Sequence, residues 1–219
     1  AISLRTDYDW LIDQDWVHSG MQLKLEPISQ LLSGLPDTAS VSITSVDSLA
    51  RELFTHRGAG TLIRTGEEII EHHHFDPQLR QRTAGLLEQS FGRELKADYF
   101  EGLPVECILA SESFGAMAIV LKGVDGVPYL DKFAVTPEAQ GAGLGAAVWQ
   151  ALVHRCPSLY WRSRAGNPVT SWYFDQADSS FTEDQWVAFS VGLSDFDQIR
   201  RCKEDCLSRA ESWVEVSDD

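Results

Sequence analysis

The feature that most restricts this chain is a glycine run, Gln140-Gly141-Ala142-Gly143-Leu144-Gly145, set between a strand-like segment and an apolar helix. Glycine adopts left-handed backbone freely and lets the chain approach a ligand, and free N–H groups at a helix start hold anionic oxygens. Several nucleotide loops compete for such a run. A phosphate loop needs Lys and Ser or Thr after its last glycine, but Gly145 is followed by Ala146 and Ala147, so that reading fails. A dinucleotide fingerprint fits formally as Gly141-x-Gly143-x-x-Ala146, with Arg162 and Arg164 near where a 2′-phosphate would lie. In that fold, however, the strand turns directly into the first glycine, whereas Thr136 to Gln140 intervene here after Val135. The form that remains is Gln-x-x-Gly-x-Gly, with glycines that serve only close helix–strand packing as the plain alternative.

The neighbouring elements narrow the choice. Val105–Ser111, Gly115–Leu121 and Tyr129–Val135 read as strands separated by turns at Glu112–Phe114 and Lys122–Pro128, which predicts an antiparallel meander ahead of the loop. After the loop the pattern predicts a helix over Ala146–Arg155, a strand over Leu159–Arg162, a short helix near Tyr173, a strand over Gln185–Ser190 and a closing helix from Asp195. Upstream, Asp76-Pro77 is a helix start, with Asp as N-cap and Pro at the first helical position, on the stripe Leu79, Thr83, Leu86, Leu87, Ser90. Arg64 to His74 reads as a linker. Before it, Met21, Leu25, Ile28, Leu32 and Leu35 form a helical stripe containing Pro27, Val41–Thr44 a strand, Val46–Phe54 a helix on Val46, Leu49, Ala50 and Leu53, and Thr61–Ile63 a strand. These are too few strands to close a core. Tyr8, Trp10, Leu11 and Trp16 form a tail that must dock on something.

Composition removes whole classes of function. With 219 residues, 43% hydrophobic and 23% charged, the chain is globular rather than disordered or fibrous. No apolar run approaches the roughly 20 residues of a membrane span, and the N-terminus carries no signal-peptide core. A net charge of −15 repels phosphate backbones, which excludes nucleic acid as partner. Cys107, Cys156, Cys202 and Cys206 are too few and scattered for a disulfide scaffold, so the cytoplasm is expected. His72-His73-His74 reads as a solvated run and Cys202 with Cys206 as a helix face, so no metal is expected. Against this acidity, a basic cluster is a purposeful exception. Lys132 lies on the strand that feeds the loop, and Arg162 and Arg164, two apart on an extended chain, point to one face. Guanidinium grips carboxylate bidentately, so the cluster suits a small substrate with two carboxylates.

These motifs carry a resemblance. The loop Gln140-x-x-Gly143-x-Gly145, with antiparallel strands before it and helix–strand after it, resembles the acetyl-CoA pyrophosphate loop of the GNAT superfamily of N-acetyltransferases. Residues 129–189, through Trp161-Arg162-Ser163-Arg164-x-x-Asn167-Pro168 and Trp172-Tyr173-Phe174, closely resemble the acetyltransferase domain of N-acetylglutamate synthases of the vertebrate type and of bacterial bifunctional synthase/kinases. Ser90-Phe91-Gly92-Arg93 through Tyr99 is similar to the same family's Phe-Gly-Lys/Arg segment. Residues 1–66 resemble the C-terminal end of an amino acid kinase, through Gly20-Met21-x-x-Lys24 and Gly60-Thr61-Leu62-Ile63, although Ser19 replaces that family's first glycine. Since the kinase's own glycine loop and acetylglutamate site are absent from this chain, Lys24 is expected to be a solvated helix lysine and the fragment no kinase.

The resemblance implies an α/β (α+β) GNAT fold, a mixed sheet flanked by helices, over residues 67–219, preceded by a short α/β kinase remnant. It implies transfer of acetyl from acetyl-CoA to the α-amino group of L-glutamate, in arginine biosynthesis, without a metal, by a protein that is homo-oligomeric and also an acetylglutamate kinase at full length. Backbone groups of Phe133, Ala134 and Val135 would pair with the pantetheine arm and polarise the thioester. The N–H groups of Gln140, Gly141, Gly143, Leu144 and Gly145 would hold the pyrophosphate. Arg93, Lys132, Arg162 and Arg164 would bind the two carboxylates, assisted by Asn167. Tyr173 would be the acid for the departing thiolate, a phenol near pKa ~10 matching a thiol of about 8–9. No side chain stands out as general base; the glutamate ammonium would lose its proton through water or with help from Asp131. A rival from another class is a non-catalytic module that binds acetyl-CoA and regulates the kinase, for which an intact Tyr173 would have no use.

Overall fold

The computed structural model describes residues 2–5, 22–35, 39–54, 59–141 and 143–214. The aromatic tail from Tyr8 to Trp16, the stretch Ser19 to Met21 and Ala142 fall outside these residues. The chain forms two compact units, residues 1–68 and 69–219.

In the first unit, β1 (Ile2–Ser3), α1 (Gln22–Ser33), β2 (Ser40–Ile43), α2 (Leu49–Phe54) and β3 (Thr61–Arg64) build a sheet in the order β1-β3-β2. β1 runs parallel to β3 and β2 antiparallel. Leu25, Leu32 and Ile63 are the buried centre, with Ile28 of the predicted stripe packed against them. Leu35, the stripe's last member, is exposed instead, as are Val46 and Leu49. The expected helix over Val46–Phe54 opens as a 3-10 turn at Val46–Ser48, and this tighter winding breaks the 3.6-residue spacing on which a buried stripe depends. Lys24 is exposed on α1, in keeping with a solvated lysine.

The second unit contains β4 (Ile69–His72), α3 (Pro77–Phe91), β5 (Val105–Ser111), β6 (Ala116–Leu121), β7 (Tyr129–Val135), α4 (Leu144–Arg155), β8 (Leu159–Arg164), α5 (Thr170–Gln176), β9 (Ser179–Glu183), β10 (Trp186–Val191) and α6 (Phe196–Ser208). The strand order is β4-β5-β6-β7-β8-β10-β9. Every pairing is antiparallel except β7 with β8, because α4 returns the chain to the edge from which β7 left. One face packs on α3 and α6 through Leu79, Leu87, Ile119, Cys202 and Cys206; the other packs on α4 and α5 through Leu109, Val148, Leu152 and Tyr173. Cover on both faces explains why β6, Ala-Met-Ala-Ile-Val-Leu, is buried at every position. This mixed sheet flanked by helices is the expected GNAT architecture.

The capping signal at Asp76 is realised: its carboxylate accepts from the Leu79 N–H at 2.7 Å, Pro77 opens α3, and Gly92 closes it in the left-handed region at φ 62°. The supposed linker is in part a strand, since Ile69–His72 pairs with Ile108–Ser111 at the sheet edge. β9 closes the opposite edge and is largely exposed, so neither edge strand carries the alternation that marks a half-buried strand.

Two irregularities of β7 create a site. It pairs with β8 only at Tyr129↔Tyr160 and Leu130↔Trp161, after which the strands part and the edge of Asp131–Val135 facing β8 is left unpaired. Opposite β6, the register jumps from Ile119↔Lys132 to Val120↔Leu130, so Asp131 is the extra residue of a β-bulge.

Candidate active site

Where β7 and β8 part, a cleft of about 840 Å³ opens. Its lining unites most of the residues singled out in the sequence. The strand β7 supplies Lys132, Phe133, Ala134 and Val135, the loop supplies Gln140, and β8 with the turn after it supplies Arg162, Arg164 and Asn167. Arg93 enters from the segment after α3 and Tyr173 from α5. Gly141, Gly143, Leu144 and Gly145 are not in this lining; they continue from Gln140 into the first turn of α4.

The glycines divide their labour. Gly141 and Gly143 have φ of 80° and 81°, and a Cβ on either would meet nothing within 4 Å, so they are required by backbone conformation. Gly143 is the N-cap of α4 and offers no side chain to the helix N–H groups, which leaves the positive end of a twelve-residue helix for an anion. Gly145 is different. A Cβ there would lie 2.9 Å from Val135 Cγ2, so this glycine serves close packing of α4 on β7. Leu144 buries its side chain in the core, so only its backbone is free for a ligand. The Gln140 N–H, expected to face a pyrophosphate, donates instead to Thr136 O at 3.1 Å, so the backbone donors left for a ligand are the free edge of β7 and, after a gap, the glycines and the uncapped start of α4.

The basic wall is made of side chains. Regular alternation would send Asp131 and Lys132 to opposite faces, but the bulge turns them together, and Lys132 Nζ donates to Asp131 Oδ2 at 2.6 Å and to Ser212 Oγ at 2.9 Å. The Tyr99 hydroxyl donates to the same Asp131 oxygen at 2.7 Å; burial first, and then the Asp131 charge, push that phenol well above its ordinary pKa. Arg162 is turned to the backbone: Nη1 donates to Leu207 O at 3.2 Å, and Nη2 to Arg209 O at 2.6 Å and Ala210 O at 3.3 Å. It thereby satisfies carbonyls at and just beyond the C-terminal end of α6 and pins the chain that follows. Arg164 Nη2 donates to Glu211 Oε1 at 2.5 Å and Nη1 to Gln185 Oε1 at 2.9 Å, while Arg93 Nη1 lies 3.6 Å from the other Glu211 oxygen. The hydrogen bond from Arg164, reinforced by the charges of Arg164, Arg93 and Arg162, holds the Glu211 carboxyl below the usual carboxylate range. Trp186 covers both strand arginines, with guanidinium carbons 4.2 Å (Arg162) and 5.0 Å (Arg164) from its ring centre. Asn167 takes a turn-forming role, its Oδ1 accepting from the Val169 N–H at 3.2 Å.

Tyr173 stands on the α5 side of the cleft among Trp149, Trp161, Trp172 and Phe189. Burial alone raises its pKa above the ordinary phenol value, so the hydroxyl keeps its proton at any physiological pH. It is therefore a standing hydrogen-bond donor and a weaker acid than a free phenol, less closely matched to a thiolate than an unperturbed tyrosine would be.

The sequence reading missed the segment that closes the cleft, Ala210 to Trp213. Lys96 N–H donates to Ser212 O and Val214 N–H to Glu94 O, each at 2.9 Å, which straps this segment against the chain after α3. Trp213, buried and within 5.8 Å of both Arg93 and Lys132, was a usable signal, since a lone tryptophan in an acidic terminal stretch must dock. Glu211 carried no such mark.

Comparison with known proteins agrees with this architecture. The family described as NAT, N-acetyltransferase, of N-acetylglutamate synthase matches residues 70–209. An acetylglutamate kinase of Xanthomonas campestris is 42% identical over 213 residues, covering 95% of this chain and 50% of that protein. One from Xylella fastidiosa is 43% identical over 215 residues, covering 98% and 51%. The human mitochondrial N-acetylglutamate synthase is 36% identical over 198 residues, covering 89% and 37%. The chain thus spans about half the length of the bacterial relatives it matches, or less of the human one. With a parted β7–β8 pair, a backbone-lined loop and a match over most of its length, the chain belongs to the N-acetyltransferase family of N-acetylglutamate synthase.

Proposed function

We propose that the chain transfers acetyl from acetyl-CoA to the α-amino group of L-glutamate, yielding N-acetylglutamate. The observation that carries this reading is the single cleft in which an open backbone edge, Asp131–Val135, faces four cationic side chains, Arg93, Lys132, Arg162 and Arg164. The backbone of Phe133 to Val135 takes the pantetheine arm and directs N–H groups at the thioester oxygen, where charge builds during transfer. The N–H groups of Gly141, Gly143, Leu144 and Gly145, at the α4 N-terminus, hold the pyrophosphate. Lys132, Arg164 and Arg93 hold the acceptor's carboxylates, and Arg162 and Asn167 keep this wall in shape through their backbone contacts. Tyr173 donates its hydrogen to the departing thiolate.

Residues 1–66 are read as the end of an amino acid kinase domain, and the whole protein as an oligomeric synthase that is also an acetylglutamate kinase. Four free, buried cysteines suit a reducing compartment, and the cytoplasm is proposed for it. No helix among the described residues is long and apolar enough to cross a membrane.

The test is thiol release from acetyl-CoA with and without L-glutamate, in the chain and in its Tyr173→Phe and Arg164→Ala variants. Glutamate-dependent release that falls at least tenfold in each variant supports the assignment. Acetyl-CoA binding without glutamate-dependent release overturns it in favour of a regulatory module.

A further inference from the structure

The four cations of the cleft are already engaged from within. Lys132 is held by Asp131, Arg162 by three backbone carbonyls, and Arg164 and Arg93 by the two oxygens of one carboxylate, Glu211. The last arrangement differs from the others in its geometry. One carboxylate bridges two guanidinium groups from separate elements, the end of β8 and the segment after α3, which is how a substrate carboxylate would bind there.

Glu211 is also placed with unusual care for a residue so near the end of the described chain. Arg162 pins the backbone just before it, at the carbonyls of Arg209 and Ala210. Lys96 and Glu94 pin the backbone just after it, at Ser212 and Val214. The backbone of residue 211 is thus fastened on both sides while its side chain remains about one third exposed, free to leave the arginines by rotation without any strand being broken.

Resting on the glutamate N-acetyltransferase reading, we propose that Glu211 is an internal stand-in for the acceptor's side-chain carboxylate, which keeps Arg93 and Arg164 paired in the empty site and yields them only to that carboxylate. The incoming carboxylate exchanges one ion pair for another, so the arginines are never left uncompensated among the aromatic rings of Trp186 and Trp213. A ligand without a side-chain carboxylate makes no exchange and leaves the Glu211 pairs in place. Glu211 therefore raises the KM of an acceptor that must displace it, such as glutamate, and leaves the binding of monocarboxylates untaxed. It touches the substrate's ligands rather than the reacting atoms and is a positioning residue.

The test compares the chain with Glu211→Gln, which keeps the shape and removes the charge, and with Glu211→Ala, which removes both. Calorimetric titrations with L-glutamate and with L-norvaline, its analogue lacking the side-chain carboxylate, are run beside steady-state KM and kcat for glutamate, with the KM for acetyl-CoA as internal reference. We expect Glu211→Gln to lower the KM for glutamate about fivefold, the size of one partly exposed ion pair, and to leave norvaline binding no tighter, since norvaline supplies no carboxylate in place of Glu211. Glu211→Ala should lower it in the same direction. An unchanged or raised KM in both variants overturns the proposal and makes Glu211 a structural brace of the arginines. If the unsubstituted chain neither binds nor acetylates glutamate, the functional reading itself falls and this inference with it; glutamate turnover with no fall of KM in the variants sinks this inference alone.

Discussion

The two walls of the cleft are built in opposite ways. The wall read as the coenzyme side is backbone, drawn from one contiguous stretch, Phe133 to Gly145, and its side chains matter mainly where they are missing. The acceptor wall is side chain, drawn from β7, β8, the segment after α3 and the strap after α6; its arginines are held by partners from other elements, and Lys132 by its neighbour Asp131 and by Ser212. A backbone wall is specified by local conformation and tolerates substitution except where a Cβ cannot fit. A side-chain wall tolerates few substitutions, because removing one charge strands its partner in a poorly solvated place.

The sharpest way to break this contrast is Lys132→Met. Asp131 would then remain, 14% exposed, with Tyr99 as its remaining side-chain partner, and loss of one member of a buried pair costs on the order of 3 kcal/mol. Urea denaturation should show that loss, together with a large rise in the KM for glutamate; a stable variant with normal glutamate kinetics would mean the acceptor wall does not depend on its internal pairs.

Tyr173→Phe tests the aromatic side of the cleft. Removing a proton donor should lower kcat about a hundredfold, within the range for general acid catalysis. Its hydroxyl makes no hydrogen bond with the described residues, so the denaturation midpoint should stay where it is or rise slightly. A large loss of stability with little change in kcat would make this tyrosine a packing residue.

Gly145→Ala probes the backbone wall. The new methyl would press on Val135 Cγ2 at 2.9 Å and push α4 from β7, at a cost of about 1–3 kcal/mol. Isothermal titration should show weaker acetyl-CoA binding with the KM for glutamate nearly unchanged. The reverse pattern would erase the distinction between the walls.

The smallest effect concerns pH. Glu211 has its carboxyl pKa lowered in the folded protein, so the stability it contributes is present above the ordinary glutamate value of about 4.3 and is lost as pH falls through the lower folded value. The difference in Tm between the chain and Glu211→Gln should therefore be measurable at pH 7 and shrink progressively below pH ~4. A difference that does not change with pH would show that the carboxylate is not paired in solution.

Much of this architecture is legible in the sequence. The meander, the loop, α4 and the α3 cap were legible because their signals are local: an Asp-Pro start, a glycine after a stripe, apolar runs between turns. The strands β4 and β9 were not, since an edge strand exposes most of its side chains and leaves no periodic trace. The first unit was legible in outline only, its helix over Val46–Phe54 misjudged where a 3-10 turn shifts the register.

For the site, the chain's own order of residues set the backbone wall and put Arg162 and Arg164 on one face, because glycine conformation and strand alternation are properties of a few consecutive residues. Tertiary structure alone decided the rest. Asp131 and Lys132 meet only because β6 and β7 pair with a bulge, and Glu211 reaches Arg93 and Arg164 only because the chain after α6 is strapped back across the cleft. The first contact turns neighbours to one side through the register of another strand and the second joins residues far apart along the chain, and no period or spacing in the sequence encodes either.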